Sequence, residues 1–199
     1  MSELPDRILL ATGNKHKLAE VEAILAPLQI HLVAPDAVGG LPEVIEDGDT
    51  FTANAIKKAV SGCRATGLWT LADDSGIEAR ALGGAPGVYS ARFAGEACDD
   101  AANNAKLAEL LRDEDDRHVQ YRCVIALARP GAEPVTWDGV FAGSFIDEPR
   151  GAGGFGYDPH VLLPELGQTV AEIPASIKHA RSHRGQALRA FTAWLMAQE

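Results

Sequence analysis

The sequence predicts a mixed α/β fold with an antiparallel section set into its second half, and three observations predict it. Short apolar runs that fit buried strands alternate with segments whose apolar residues recur at helical spacing. A stretch from Gln120 to about Ile146 is rich in β-forming residues and broken by Arg129-Pro130-Gly131, which is a hairpin signal. The chain has 199 residues, 46% of them hydrophobic, enough for one domain or two closely packed lobes around a substantial core. Without repeats, low-complexity tracts or evident linkers, residues 1–199 read as a single domain.

The elements follow in order. Ile8 to Thr12 is a short apolar run stopped by Gly13-Asn14, which predicts a buried strand entering a tight loop. Leu18, Val21, Ile24 and Leu25 then fall on one helical face, and Pro27 ends that helix. Ile30 to Val33 is a second strand. Glu46-Asp47-Gly48-Asp49 leads into a helix from Thr50 to Thr66, and Trp69 to Ala72 is a strand ending at Asp73-Asp74-Ser75-Gly76. Gly83 to Gly87 is irregular because Gly and Pro punctuate it. Asp99 caps a helix that runs to Leu111. Tyr121 to Ala128 and Val135 to Phe145 are strands, Gly151 to Gly156 is a loop, and the last part is helical with Leu188, Phe191 and Leu195 on one face.

Charge and cysteine usage narrow the function. A formal net charge of −10 disfavours a nucleic-acid polymer as partner, because neutralising many phosphates needs clustered Lys and Arg. A single nucleotide stays open, since a few local cations and a metal can hold it. Cys63, Cys98 and Cys123 are odd in number and form no CxxC, so a zinc cluster or disulfide framework is unsupported and a reduced, cytoplasmic setting is expected. The start, Met1 to Asp6, lacks the basic and apolar regions of a signal peptide, and no apolar run is long enough to span a bilayer, so no membrane partner is expected.

Four segments can carry chemistry. Thr12-Gly13-Asn14-Lys15-His16-Lys17 lies between a strand and a helix start, where free N–H groups and the helix dipole favour an anion and Lys17 adds a full charge. The same residues also fit an ordinary strand–helix turn, with Glu20 one turn on as a surface partner for Lys17. Asp73 and Asp74 supply adjacent carboxylates whose side chains point to opposite faces of an extended segment. One could ligate Mg²⁺ or activate water while the other is structural, with Glu46 a possible second ligand; a plain acidic turn is the alternative. Gly151 to Gly156 matches GxGxxG formally, yet it does not open a helix, so a loop placing Phe155, Tyr157 and Asp158 against a base, or a glycine hairpin with core aromatics, fits better. Lys178, His183 and Arg184 form a basic cluster. His179 and His183 are spaced i, i+4 but lack a third zinc ligand, and Ser75 and Ser182 have no GxSxG setting.

Together and in this order the motifs resemble the inosine triphosphate pyrophosphatase family, which removes ITP, dITP and XTP from the nucleotide pool. The resemblance runs from Ile8 to about Phe191. It is carried by Thr12-Gly13-Asn14 with Lys17 and Glu20, Thr50-Phe51 with Asn54 and Lys58, and Ala72-Asp73-Asp74-Ser75-Gly76. Leu82-Gly83-Gly84-Ala85-Pro86-Gly87-Val88-Tyr89-Ser90-Ala91-Arg92, Gly153-Gly154-Phe155-Gly156-Tyr157-Asp158-Pro159 and Ser182-His183-Arg184 complete it.

The resemblance implies an elongated two-lobed α/β fold with a central mixed sheet, a nucleotide cleft between the lobes, and a homodimer. It implies a Mg²⁺-dependent pyrophosphatase that converts deaminated purine nucleoside triphosphates into monophosphate and pyrophosphate. On the same basis Thr12, Gly13, Asn14, Lys15, His16 and Lys17 would hold the phosphates. Glu46 and Asp74 would hold Mg²⁺, with Asp74 also the catalytic base. Ser75, Phe155, Gly156, Tyr157, Asp158, Lys178, His183 and Arg184 would contact the nucleotide. Pro174-Ala175-Ser176-Ile177 replaces the acidic residues that family members often carry before Lys178, whose assignment therefore rests on its spacing to Ser182-His183-Arg184.

Overall fold

Hydrophobic periodicity and capping chemistry fix most of the elements. The computed structural model describes residues 5–28 and 30–198, so the part of the N-terminal reading that falls on residues 1–4 lies outside it. The strands are β1 (Arg7–Leu10), β2 (His31–Val33), β3 (Thr70–Ala79), β4 (His118–Ala128), β5 (Val135–Phe145), β6 (Val161–Leu163) and β7 (Gln168–Thr169). The helices are α1 (Lys15–Leu25), α2 (Phe51–Thr66), α3 (Asp100–Leu111), α4 (Ala175–Arg181) and α5 (His183–Met196). One mixed sheet of seven strands has the order β2-β1-β3-β4-β5-β6-β7. β1 runs parallel to β2 and β3, whereas β6 runs antiparallel to β5 and β7.

The caps match their sequences. Asn14, Thr50 and Asp99 each accept hydrogen bonds from the first-turn N–H groups of α1, α2 and α3. Gly67 ends α2 in the left-handed region, which a glycine enters without a Cβ penalty. Two boundaries differ from expectation. β3 does not stop at Ala72 but continues through Asp73-Asp74-Ser75-Gly76 to Ala79. The helical C-terminal part is two helices, broken at Ser182, whose backbone is extended.

The chain divides into two compact units. The first holds the described residues up to Asp74, Cys123–Gly139, and the described residues from Arg184 on. Its core joins Ile8 and Leu10 of β1, Val21 and Leu25 of α1, and Leu71 of β3 to Ile125 and Leu127 of β4. Leu188, Phe191 and Leu195 of α5 close it, as their spacing predicts. The second unit holds Ser75–Arg122 and Val140–His183. Its core joins Ile77, Leu107, Leu111 and Val119 to Phe145, Tyr157, Val161 and Leu163. The chain passes between units at Asp74-Ser75, Arg122-Cys123, Gly139-Val140 and His183-Arg184, the first and last within two of the motifs singled out above. Among the described residues no helix is long and apolar enough to cross a membrane.

Candidate active site

In the first unit the turn from β1 into α1 is exposed from Gly13 to His16. The Asn14 side chain accepts from the N–H groups of His16 and Lys17 at 2.9 and 3.1 Å, and Thr12 Oγ1 accepts from the Asn14 N–H at 3.2 Å. The N–H groups of Gly13 and Lys15 donate to nothing among the described residues. They lie at the positive end of α1, so the turn can receive an anion.

Lys17 does not pair with Glu20. Its ammonium lies 3.0 Å from Asp73 Oδ2, while the buried Glu20 accepts from Arg184. The Arg184 Nη2 also donates to Asp73 Oδ2 at 3.0 Å, and the Asp73 and Arg184 side chains are only 1% and 2% exposed. Burial alone would raise the Asp73 carboxyl, but Lys17, Arg184 and Lys58 hold it far below the usual carboxylate range. Arg184 thus sits inside a network of charged side chains within this unit.

Because β3 continues through the acidic pair, the alternation of an extended chain sends Asp74 away from Asp73. Asp74 Oδ1 lies 3.4 Å from the Lys58 ammonium, which also donates to Glu46 Oε2 at 2.7 Å. Asn54 and Lys58 are four residues apart on α2 and so share a face. Asn54 Oδ1 accepts from the Gly48 N–H at 2.8 Å, which fixes the segment carrying Glu46. A Cβ at Gly48 would come within 2.6 Å of that oxygen, so only glycine allows this approach. Burial, aided by Glu46, raises the Asp74 carboxyl, while Lys58, Lys17 and Asn54 oppose the shift.

Glu46 and Asp74 therefore bring two hard oxygen donors to one ammonium, a donor set that fits Mg²⁺. Among the described residues no group of three or more His, Cys, Asp and Glu side chains could hold a metal. A magnesium ion on this pair would need water or substrate oxygens as well.

In the second unit a separate network surrounds Asp158, which is 4% exposed. Its Oδ1 accepts from Tyr121 Oη at 2.9 Å. Its Oδ2 accepts from Lys178 Nζ at 2.8 Å and from the Phe155 N–H at 3.0 Å. The Lys178 ammonium also lies 4.7 Å from the Phe155 ring centroid. His183 stacks on Tyr121, with ring centroids 5.0 Å apart and planes 12° from parallel. Phe155 is half-buried. Gly154 has φ +73°, and a Cβ there would strike the Asp158 carboxylate.

The resemblance grouped Ser75, Phe155 to Asp158, Lys178, His183 and Arg184 as nucleotide contacts. Within this unit Phe155, Asp158, Lys178 and His183 are neighbours or share a neighbour, whereas Arg184 pairs with Asp73 and Glu20 in the first unit. Tyr157 is buried in the core and donates its hydroxyl to the Ser90 carbonyl at 2.8 Å, so that hydroxyl is not presented outward. Ser75 is half-buried on β3, and Gly156 follows Phe155 with φ +61°. Three groups were not singled out as site residues. Lys58 and Tyr121 organise the two carboxylate networks, and Asn54 ties Gly48 to α2. The i, i+4 spacing of Asn54 and Lys58 after a Thr cap was the available signal.

Comparison with known proteins finds a matching family and similar relatives. A model of the Ham1 family matches residues 8–194. The chain is 52% identical over 187 residues to a dITP/XTP pyrophosphatase of Ralstonia nicotianae, covering 92% of each chain. It is 50% identical over 185 residues to a dITP/XTP pyrophosphatase of Desulforamulus reducens, again covering 92% of each. The solved structure of a HAM1 protein from Coxiella burnetii superposes with a TM-score of 0.89 at 42% identity, covering 96% of this chain and 98% of that one.

Proposed function

The chain belongs to the Ham1 family, and from that premise we propose that it hydrolyses deaminated purine nucleoside triphosphates, ITP, dITP, XTP and dXTP, to the monophosphate and pyrophosphate. One geometric observation carries the reaction type: Glu46 and Asp74 converge on Lys58, in the same unit as an exposed helix-start turn backed by Lys17. The substrate class comes from the names of relatives about half identical over nearly their full length.

In this reading the Thr12–Lys17 turn binds the phosphates through backbone N–H groups, and Lys17 adds charge at a position fixed by Asp73. Glu46 and Asp74 would hold Mg²⁺, which when bound neutralises charge on the phosphates and orients them. Asp74 takes the proton from the water that attacks the α-phosphorus. The α–β anhydride bond breaks and pyrophosphate leaves with its electron pair. A carboxylate whose proton affinity is raised by burial suits that task better than an exposed one. Lys58 holds both carboxylates in register without taking part in proton transfer.

The Asp158 network would bind the base. Phe155 stacks on the purine, and Lys178, prealigned by Asp158, offers a donor to the 6-oxygen. A 6-amino group would meet that donor with another donor and leave buried groups unpaired, a mismatch worth up to about 10⁴-fold in selectivity. We further place the protein in the cytoplasm as a homodimer, with no nucleic-acid polymer as partner, in keeping with its net charge of −10.

The test is turnover of dITP, XTP, dGTP, dATP and dUTP with Mg²⁺, scoring pyrophosphate and orthophosphate separately. Pyrophosphate from dITP and XTP, with little from the other three, supports the reading. Orthophosphate as product, equal turnover of all five, or activity without divalent cation refutes the cut site, the selectivity or the metal requirement in turn.

A further inference from the structure

The Gly156 peptide is gripped on both sides by α3. Its N–H donates to Asp100 Oδ2 at 2.8 Å, and its carbonyl accepts from Asn104 Nδ2 at 2.9 Å. Asp100 and Asn104 lie one helical turn apart, and Asn104 Nδ2 also donates to the Asp100 carbonyl at 2.9 Å. Both acceptors of the Asn104 amide are carbonyl oxygens, so its NH₂ group must face them. Its Oδ1 is then left buried without a hydrogen-bond partner among the described residues, and a buried acceptor in that state is unfavourable. An arrangement that bears this cost also holds the neighbouring backbone in place.

What it holds is Phe155. The Phe155 N–H is fixed by Asp158 Oδ2, its carbonyl accepts from the Asp158 N–H at 3.3 Å, and the next N–H along the chain is fixed by Asp100. The peptides on either side of Phe155 therefore have set orientations, and with them the backbone dihedrals that aim its ring. Gly156 has φ +61°, a conformation a glycine reaches easily but also leaves easily. The hydrogen bonds from α3 remove that freedom.

We infer that Asp100 and Asn104 are positioning residues for base binding: they lock the Gly156 peptide so that the Phe155 ring is already oriented when the nucleotide arrives. Neither residue touches the reacting atoms. The inference rests on the reading of Phe155 as the base contact. Because preorganisation lowers the ordering cost of binding, its loss should appear in KM and not in kcat.

The test compares Asp100→Ala, Asp100→Asn and Asn104→Asp in steady-state dITP hydrolysis. Asp100→Ala removes the acceptor for Gly156, Asn104→Asp turns a donor into oxygens facing carbonyls, and Asp100→Asn keeps an acceptor. The expected result is a KM about tenfold higher for the first and third, with kcat within about twofold, and near-normal KM for Asp100→Asn. Unchanged KM, loss confined to kcat, or an Asp100→Asn variant as weak as Asp100→Ala overturns the inference. Should Asn104→Asp fail to fold, the pair at the exposed Asp100 decides. Amide exchange at Gly156 in the substrate-free protein separates the two levels. Slow exchange that becomes fast in Asp100→Ala supports the clamp, whereas fast exchange in the unmodified protein refutes it. Absence of dITP turnover in the unmodified protein refutes the functional reading instead and leaves the clamp to be judged on exchange.

Discussion

Replacing Asp73 by Asn should destabilise the protein by about 3–5 kcal/mol, the range for removing one partner of a buried ion pair. The structure explains why this site belongs at that end of the scale. The Asp73 side chain is 1% exposed and meets two cations, Lys17 and Arg184, each at 3.0 Å. At an effective dielectric of about 20, each contact is a gross attraction of roughly 5 kcal/mol. An amide retains one neutral hydrogen bond, worth about 1 kcal/mol, and Glu20 still compensates Arg184. Lys17 can turn toward solvent, but Arg184, with its side chain 2% exposed, cannot. For a chain of this length each kcal/mol moves Tm by about 2–4 °C, so a fall of roughly 6–20 °C is expected in thermal unfolding followed by circular dichroism.

The sign of the pH dependence follows from the depressed Asp73 carboxyl. Its stabilisation is fully present above the unfolded value of about 3.9 and is lost as pH falls below that toward the folded value. The Tm gap between the original protein and Asp73→Asn should therefore be constant from about pH 5 to 8 and narrow below about pH 4. A gap under 2 °C at neutral pH, or one that stays unchanged at pH 3, would refute the assignment of Asp73 as the ionised centre of this network.

Asp74→Asn should lower kcat by about 10²–10⁴ while leaving Tm nearly unchanged; near-normal turnover at saturating Mg²⁺ would remove Asp74 from the mechanism. Phe155→Ala should raise KM for dITP by about tenfold, as expected for one lost base–aromatic stack, and an unchanged KM would place the base elsewhere. Of the three cysteines only Cys98 is exposed, while burial pushes the Cys123 thiol up to about 12 and raises that of Cys63. A thiol reagent at pH 7.5 should then label one cysteine in the folded protein and all three after denaturation; rapid native labelling of a second would contradict the burial.

Where a residue's role is local, the sequence discloses it. Asp99 caps α3 as its position before an amphipathic run predicts, because a short polar side chain there can accept from the first-turn N–H groups. Leu188, Phe191 and Leu195 announce the buried face of α5 by spacing alone. The misreadings share the opposite property. Asp73-Asp74-Ser75-Gly76 looks like the end of a strand because those residues fit strands poorly, yet β3 runs through them. The strand tolerates them because Lys17, Lys58 and Arg184 surround the carboxylates, and those cations come from three distant stretches of chain. Glu20 and Arg184 are 164 positions apart, so no local pattern could have taken Glu20 from Lys17 and given it to Arg184.

That long-range placement also separates two chemically identical neighbours. Asp73 and Asp74 share a sequence context and differ only in which face of β3 they occupy. On one face the buried Arg184 and the partly buried Lys17 hold Asp73 ionised far below the ordinary range, and it cannot accept a proton near neutral pH. On the other face burial and the nearby Glu46 raise Asp74, with a more distant ammonium in partial opposition. Two carboxylates pushed in opposite directions by their surroundings mark a division of labour, in which the firmly ionised one is structural and the raised one is available for proton transfer or a metal. The pair that reads as a single acidic motif is therefore two devices. Asp73 fixes Lys17 beside the exposed turn before α1, and Asp74 meets Lys58, which also binds Glu46, on the other face.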